Sequence, residues 1–276
     1  MRRLKIFTWP NHRRYCESLA RLPHELHFPG PGTKRQKLDC IVFQDESHYL
    51  DGQFEVLSPA QQRLPKIYVE HEPPREHPVE SRHVVTDSDI LIVHVSEFNR
   101  LMWDNGRSTT RVIEHGVHDA GSRYSGELAR GLVCAEDLQA QDRRNGADVL
   151  QQARASVALD CGALKACYRF LFFPARYRSP SIALIDAMMM GMPVVTLASG
   201  PLAGVITDGV NGYVDASPER LISRMHELIA DRAAALVLGR EARRLALERF
   251  SIQRFVADWN SVLAEAIGAA GERFAA

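Results

Sequence analysis

Short apolar runs such as DCIVF (39–43), ILIVHV (90–95) and FLFFPA (170–175) recur along the chain with helical patterns between them, and this alternation most narrows the fold. Strands that are apolar on both faces must be covered on both faces, which parallel sheets with crossover helices provide. The first half reads as strands at LKIFTW (4–9), HELHF (24–28), DCIVF, KIYVE (66–70), ILIVHV and RVIEH (111–115). The second half adds GLVCAE (131–136), SVALDC (156–161), FLFFPA, PVVTL (193–197) and GYVDA (212–216). Two sheets are expected, hence two α/β domains. DAGSRYSGELAR (119–130) contains glycine and serine and has no period, so the junction is placed there, with an N-terminal domain over 1–122 and a C-terminal domain over 123–276.

The helices carry their own signals. HRRYCESLARL (12–22) is closed by Pro23, and SEFNRLMWDNG has Ser96 as N-cap and Gly106 as a stop. Ser217-Pro218-Glu219 supplies a cap, a proline at the first helical position and an acid in the first turn; Leu221, Met225 and Leu228 then form one stripe. A last helix after Ser251 presents Phe255, Trp259 and Val262 on one face.

Charge excludes some partners. Thirty-four basic residues balance thirty-four acidic ones in 276, so no global field favours nucleic acid or an anionic membrane, and any anion site must be local. Five cysteines without C-x-x-C spacing argue against a disulfide frame and a zinc site, and imply a reducing compartment. No apolar run approaches the length of a membrane span, and MRRLKIFTWPNHRRY is too polar for a signal peptide, so a cytoplasmic, soluble protein is expected.

RYRSPSIALIDAMMMGMPVV (176–195) crowds arginines and serines onto a helix start. Ser179 is the expected N-cap and Pro180 the first helical residue. A helix N-terminus at the carboxyl end of a parallel strand offers free N–H groups to an anion, and Arg176 and Arg178 add planar guanidiniums suited to phosphate. The stretch looks like a diphosphate seat over Ser179, Ser181 and Ile182. Leu184, Ile185 and Met188 read as core, and Gly191-Met192-Pro193 turns the chain into the next strand.

From Ser179 through Val195, followed by TDGVNGYV (207–214), the sequence resembles the nucleotide-sugar-binding domain of retaining GT-B glycosyltransferases, the group typified by sucrose and glycogen synthases. SDILIVHVSEFNRLMWDNG with TRVIEHGVHD, and PKIYVEHEP, are similar to the N-terminal domain of that group. The resemblance implies two Rossmann-like domains facing a cleft, with the C-terminal helix crossing back. It also implies transfer of a sugar, with retention, from a nucleotide diphosphate sugar to an acceptor sugar or small molecule, with no further cofactor and no metal. Asp186 takes the place of the acid that holds the nucleotide ribose, and Arg143 or Arg144 that of the cations on the diphosphate. Arg178 stands where members of the group carry the acid that touches the donor sugar, and arginine cannot accept a hydrogen bond. That departure keeps a second reading open, a catalytically silent relative that binds a nucleotide sugar or serves as a scaffold; another GT-B enzyme, an epimerase or phosphorylase, is the third.

EHEPPREHP (70–78) follows a buried strand, and its paired prolines hold the loop extended. The resemblance puts His71 at the cleft as the catalytic histidine. Glu70, Glu72, Arg75 and His77, with His12 after the first strand, are then acceptor-binding candidates. PGPGTK (29–34) lacks the P-loop spacing and reads as a loop.

Overall fold

The computed structural model describes residues 2–134 and 142–275. Two compact units are present, Met1–Gly116 together with Ile252–Ala276, and Val117–Ser251. In the first, β1 (Lys5–Thr8), β2 (Glu25–His27), β3 (Cys40–Phe43), β4 (Lys66–Glu70), β5 (Leu91–His94) and β6 (Thr110–Val112) form one sheet in the order β2-β1-β3-β4-β5-β6. In the second, β7 (Leu128–Cys134), β8 (Leu159–Gly162), β9 (Tyr168–Phe173), β10 (Val194–Leu197) and β11 (Gly212–Asp215) are ordered β11-β10-β9-β7-β8. Every pairing is parallel. β3, β5 and β10 are buried along their whole length, as their unbroken apolar runs require. Ala135 and Glu136, the end of the strand expected at 131–136, lie outside the described residues.

The α-helices among the described residues are α1 (Arg13–Leu19), α2 (Gln53–Val56), α3 (Glu97–Met102), α4 (Ala147–Arg154), α5 (Ile182–Met190), α6 (Pro218–Ala230), α7 (Arg232–Arg249) and α8 (Ile252–Ala275). Ser96 caps α3 by accepting from the Asn99 N–H, and Ser217 caps α6 by accepting from Arg220. α3 ends at Met102, before the expected stop, and Gly106 instead serves a later turn at φ +56°.

The division of the chain differs from the junction at 122 that the sequence suggests. Val117 N–H donates to Phe250 O, and the Asp119 carboxylate pairs with Arg243, so residues from 117 onward belong to the second unit. Strand β7 already begins at Leu128, inside the stretch read as linker; Leu128 and Ala129 are exposed and Arg130 is charged, so no continuous buried apolar run marked its start. α8 returns to the first unit, where Phe255, Trp259 and Val262 join Ile6, Tyr15, Val69 and Val93 in one core.

α7 has little sequence signature. Asp231 caps it by accepting from Ala233 and Ala234, and its buried face is Ala235, Leu238, Gly239, Ala242 and Ala246. Small residues allow close packing on α5 but give almost no apolar periodicity.

Candidate functional site

In an open parallel sheet ligands collect outside the carboxyl ends of the strands, at the point where strand order reverses. In the second unit that point lies between β7 and β9, because β8 sits on one side of β7 and β9 to β11 on the other. The segments leaving those two strands carry the arginines singled out in the sequence, and they are stitched together. Arg176 N–H and Tyr177 N–H donate to Arg144 O at 2.8 and 3.3 Å. The Arg144 Nε donates to Tyr177 O at 2.7 Å, with its guanidinium over the Tyr177 ring. Arg176 grips Asp148 with two hydrogen bonds of 2.5 and 2.9 Å, which holds that carboxyl down at about 2. Arg143 reaches the same carboxylate at 2.9 Å and is largely exposed. Arg176 therefore joins the two loops, and among their described residues the guanidiniums Arg143, Arg144, Arg176 and Arg178 stand with Asp142 and Asp148, while Glu136 and Asp137 lie outside the described residues.

The helix start is displaced by two residues from the sequence reading. The N-cap of α5 is Ser181, whose hydroxyl accepts from the Leu184 N–H at 3.2 Å; Ser179 is buried one residue before Pro180, and Pro180 stands ahead of the helix. Both serines satisfy the local rules for a cap, as Ser217 directly before Pro218 does at α6, and here the cap is Ser181. The first-turn donors are those of Ile182 and Ala183, beside Ser181. Leu184, Ile185 and Met188 are fully buried as expected, and from Ala183 to Met189 only Asp186 is not buried. It follows Ile182 by four residues and shares its face of the helix. Gly191 ends α5 at φ +98°.

In the first unit the order reverses between β1 and β3. His12 follows β1, Gln44 follows β3 and His71 follows β4. The His12 and His71 rings stack at 3.8 Å, and Tyr15 meets the His71 ring edge-on. Gln44 Nε2 faces Trp9 O, which can only accept, so the amide oxygen is the atom turned to His71 Nε2 at 3.2 Å. His71 therefore carries its proton on Nε2 and keeps Nδ1 as an acceptor. These residues open onto a cavity of 920 Å³ also lined by Asp45, Glu70, Glu72, Arg75 and Trp103. His12, His71, Glu72 and Arg75 thus share one cavity, whereas His77 is exposed in the following turn and does not line it. Gln44 and Asp45 escaped the sequence reading; only their place after a buried strand marks them. Among the described residues no three His, Cys, Asp or Glu side chains are grouped to hold a metal ion.

Burial dominates the titration of this unit. Desolvation pushes His71 well below the ordinary histidine value, helped by His12 and His115, and it lowers His12 as well. His94 and His115 are held at about 4, again mainly by desolvation. Neutral rings are thus favoured in the folded unit; their stabilisation is complete above about pH 6.5, the ordinary histidine value, and is lost as pH falls towards 4. All three tryptophans, Trp9, Trp103 and Trp259, lie in this unit and report on it alone. Moving from about pH 7.5 to about pH 5 is expected to remove roughly 2 kcal/mol for each of His94 and His115, read as a lower urea midpoint of tryptophan fluorescence. An unchanged midpoint would mean that the folded unit tolerates the charged rings.

Two parallel-sheet units, each with polar groups at its own strand-order reversal, define the GT-B architecture. Residues 136–231 match the family described as glycosyl transferases group 1. Among solved structures, sucrose-phosphate synthase from Thermosynechococcus elongatus superposes with a TM-score of 0.71 at 13% identity, over 97% of this chain and 100% of that one. HepE of Anabaena in complex with UDP gives 0.68 at 13% identity, over 95% and 100%. A mutant form of TarM of S. aureus, in complex with UDP and other ligands, gives 0.60 at 14%, over 81% and 55%. No curated protein matches the sequence at a significant level.

Proposed function

We propose that the protein transfers a sugar, with retention of configuration, from a nucleotide diphosphate sugar to a hydroxyl-bearing acceptor, the nucleotide binding the second unit and the acceptor the first. The observation that carries this is the pair of loops joined by Arg176 and Asp148 at the β7/β9 reversal, which bring Arg144 to the residue beside Arg178 and the start of α5. Fixed N–H groups and guanidiniums there stabilise the charge that grows on a departing diphosphate. Asp186, the one position of the helix interior that is not buried, would accept from the ribose hydroxyls. The superposable HepE structure contains UDP, which supports a uridine nucleotide as the first to try. Retention rests on the resemblance to sucrose and glycogen synthases, in which the leaving phosphate oxygen takes the acceptor's proton.

Calorimetry with UDP tests the reading. Binding by the wild type is expected, and Arg178→Ala should weaken it by about 1–3 kcal/mol, the range for a charge-assisted hydrogen bond. Failure of the wild type to bind UDP or any other nucleoside diphosphate would overturn the donor site, and undiminished affinity in the variant would remove Arg178 from it. Arg178 in place of the sugar-contacting acid favours the second reading, a silent nucleotide-sugar-binding subunit. Consumption of a bound UDP-sugar separates the two.

A further inference from the structure

The cavity of the first unit is lopsided in charge. Asp45, Glu46, Asp51, Glu70, Glu72 and Glu76 line it, against the guanidiniums of Arg75 and Arg82, and its two histidines are kept neutral by burial. Glu70, at the end of β4, is the carboxylate most firmly built in. Its side chain is only 14% exposed, its Oε1 accepts from the Glu72 N–H at 3.0 Å, and its Oε2 lies 3.2 Å from His83 Nε2.

His83 holds Glu70 from behind. It is fully buried, and its Nδ1 accepts from the Val85 N–H at 3.0 Å, so the ring proton is on Nε2 and faces the carboxylate. The pair is held by proximity rather than by a well-aligned hydrogen bond. Tyr68 and Trp103, which also line the cavity, meet the His83 ring edge-on at 4.9 and 5.2 Å and fix its plane. A carboxylate offers about four acceptor positions, and these two partners engage one on each oxygen. The others are available to a molecule in the cavity, beside aromatic faces that suit sugar C–H groups and cations.

We infer that this cavity takes a polyhydroxyl acceptor bearing an ammonium group and no phosphate or carboxylate, and that Glu70, positioned by His83, receives that ammonium. The inference rests on the reading of the first unit as the acceptor side. An anionic acceptor would meet six carboxylates against two guanidiniums, whereas an amino sugar replaces its hydration with a fixed carboxylate.

The test titrates glucosamine, glucose and glucuronate into the full chain, with and without UDP, and reads binding from ligand NMR line shapes. Glucosamine is expected to bind at least about tenfold more tightly than glucuronate, with glucose between them, and Glu70→Gln to lose about tenfold for glucosamine. His83→Leu should lose most of that factor, while His83→Gln, which keeps an N–H towards Glu70, should stay within about threefold of wild type. The exposed Glu76→Gln, which leaves the core untouched, should narrow the preference for glucosamine over glucuronate about twofold. Equal or tighter glucuronate binding, no glucosamine binding, or an indifferent Glu70→Gln would overturn the inference. UDP affinity should be unchanged in all these variants. If the wild type fails to bind UDP but selects glucosamine, the donor reading fails and the charge selection of the cavity stands.

Discussion

Turnover of a UDP-sugar by His71→Ala is expected to fall roughly 10- to 1,000-fold, while its affinity for UDP changes by less than about twofold. The ring stands at the carboxyl end of β4, stacked on His12 and edged by Tyr15, with Gln44 fixing its proton on Nε2. A group held by that many contacts is positioned before any ligand arrives, which is the condition for a large effect on turnover. In the proposed reading the nucleotide contacts belong to the other unit, so the two measurements should separate. Both are made on one preparation. Near-normal turnover would remove His71 from the reaction, and equal loss of turnover and UDP affinity would point to damaged folding.

Gly146→Ala is expected to destabilise the second unit by about 3 kcal/mol or more and to abolish most UDP binding. Gly146 sits at φ +78°, in the left-handed region, and an added Cβ would overlap the Pro174 carbonyl. That carbonyl belongs to the segment leaving β9, while Gly146 opens α4 in the segment leaving β7. The clash is with backbone and has no side chain to yield, so relief requires the two loops to part, together with the Arg176 bonds to Asp148 and to Arg143 O. Amide exchange of β7 and β9 follows the change, since tryptophan does not report on this unit. Wild-type exchange and affinity in the variant would show that the loops can spread without cost.

Much of this molecule is legible in its amino-acid order. The central strands, such as β3, β5 and β10, could be read because they are buried along their whole length, which is what a parallel sheet under helices imposes. Ser96 and Ser217 could be read as caps because capping is decided within one turn. Ser179 could not be told from Ser181 so easily, since both are serines beside Pro180 and either satisfies the local rules for a cap. α7 was hidden by its small buried residues, whereas α8 was legible from its apolar stripe, and its return to the first unit was implied only by the resemblance.

The sites divide the same way. Each loop's chemistry, the arginines around residue 144 and 178 or the histidines at 12 and 71, is local, and the sequence determined it. Which loops meet is not local. His12, Gln44 and His71 share a site because β1 lies beside β3 and β3 beside β4, and Arg144 reaches Tyr177 because β7 lies beside β9. Strand order depends on hydrogen bonds and packing between residues far apart in the chain, and a local apolar pattern is the same whichever neighbour a strand takes. Only the tertiary structure decided that order, and with it the pairing of Glu70 with His83.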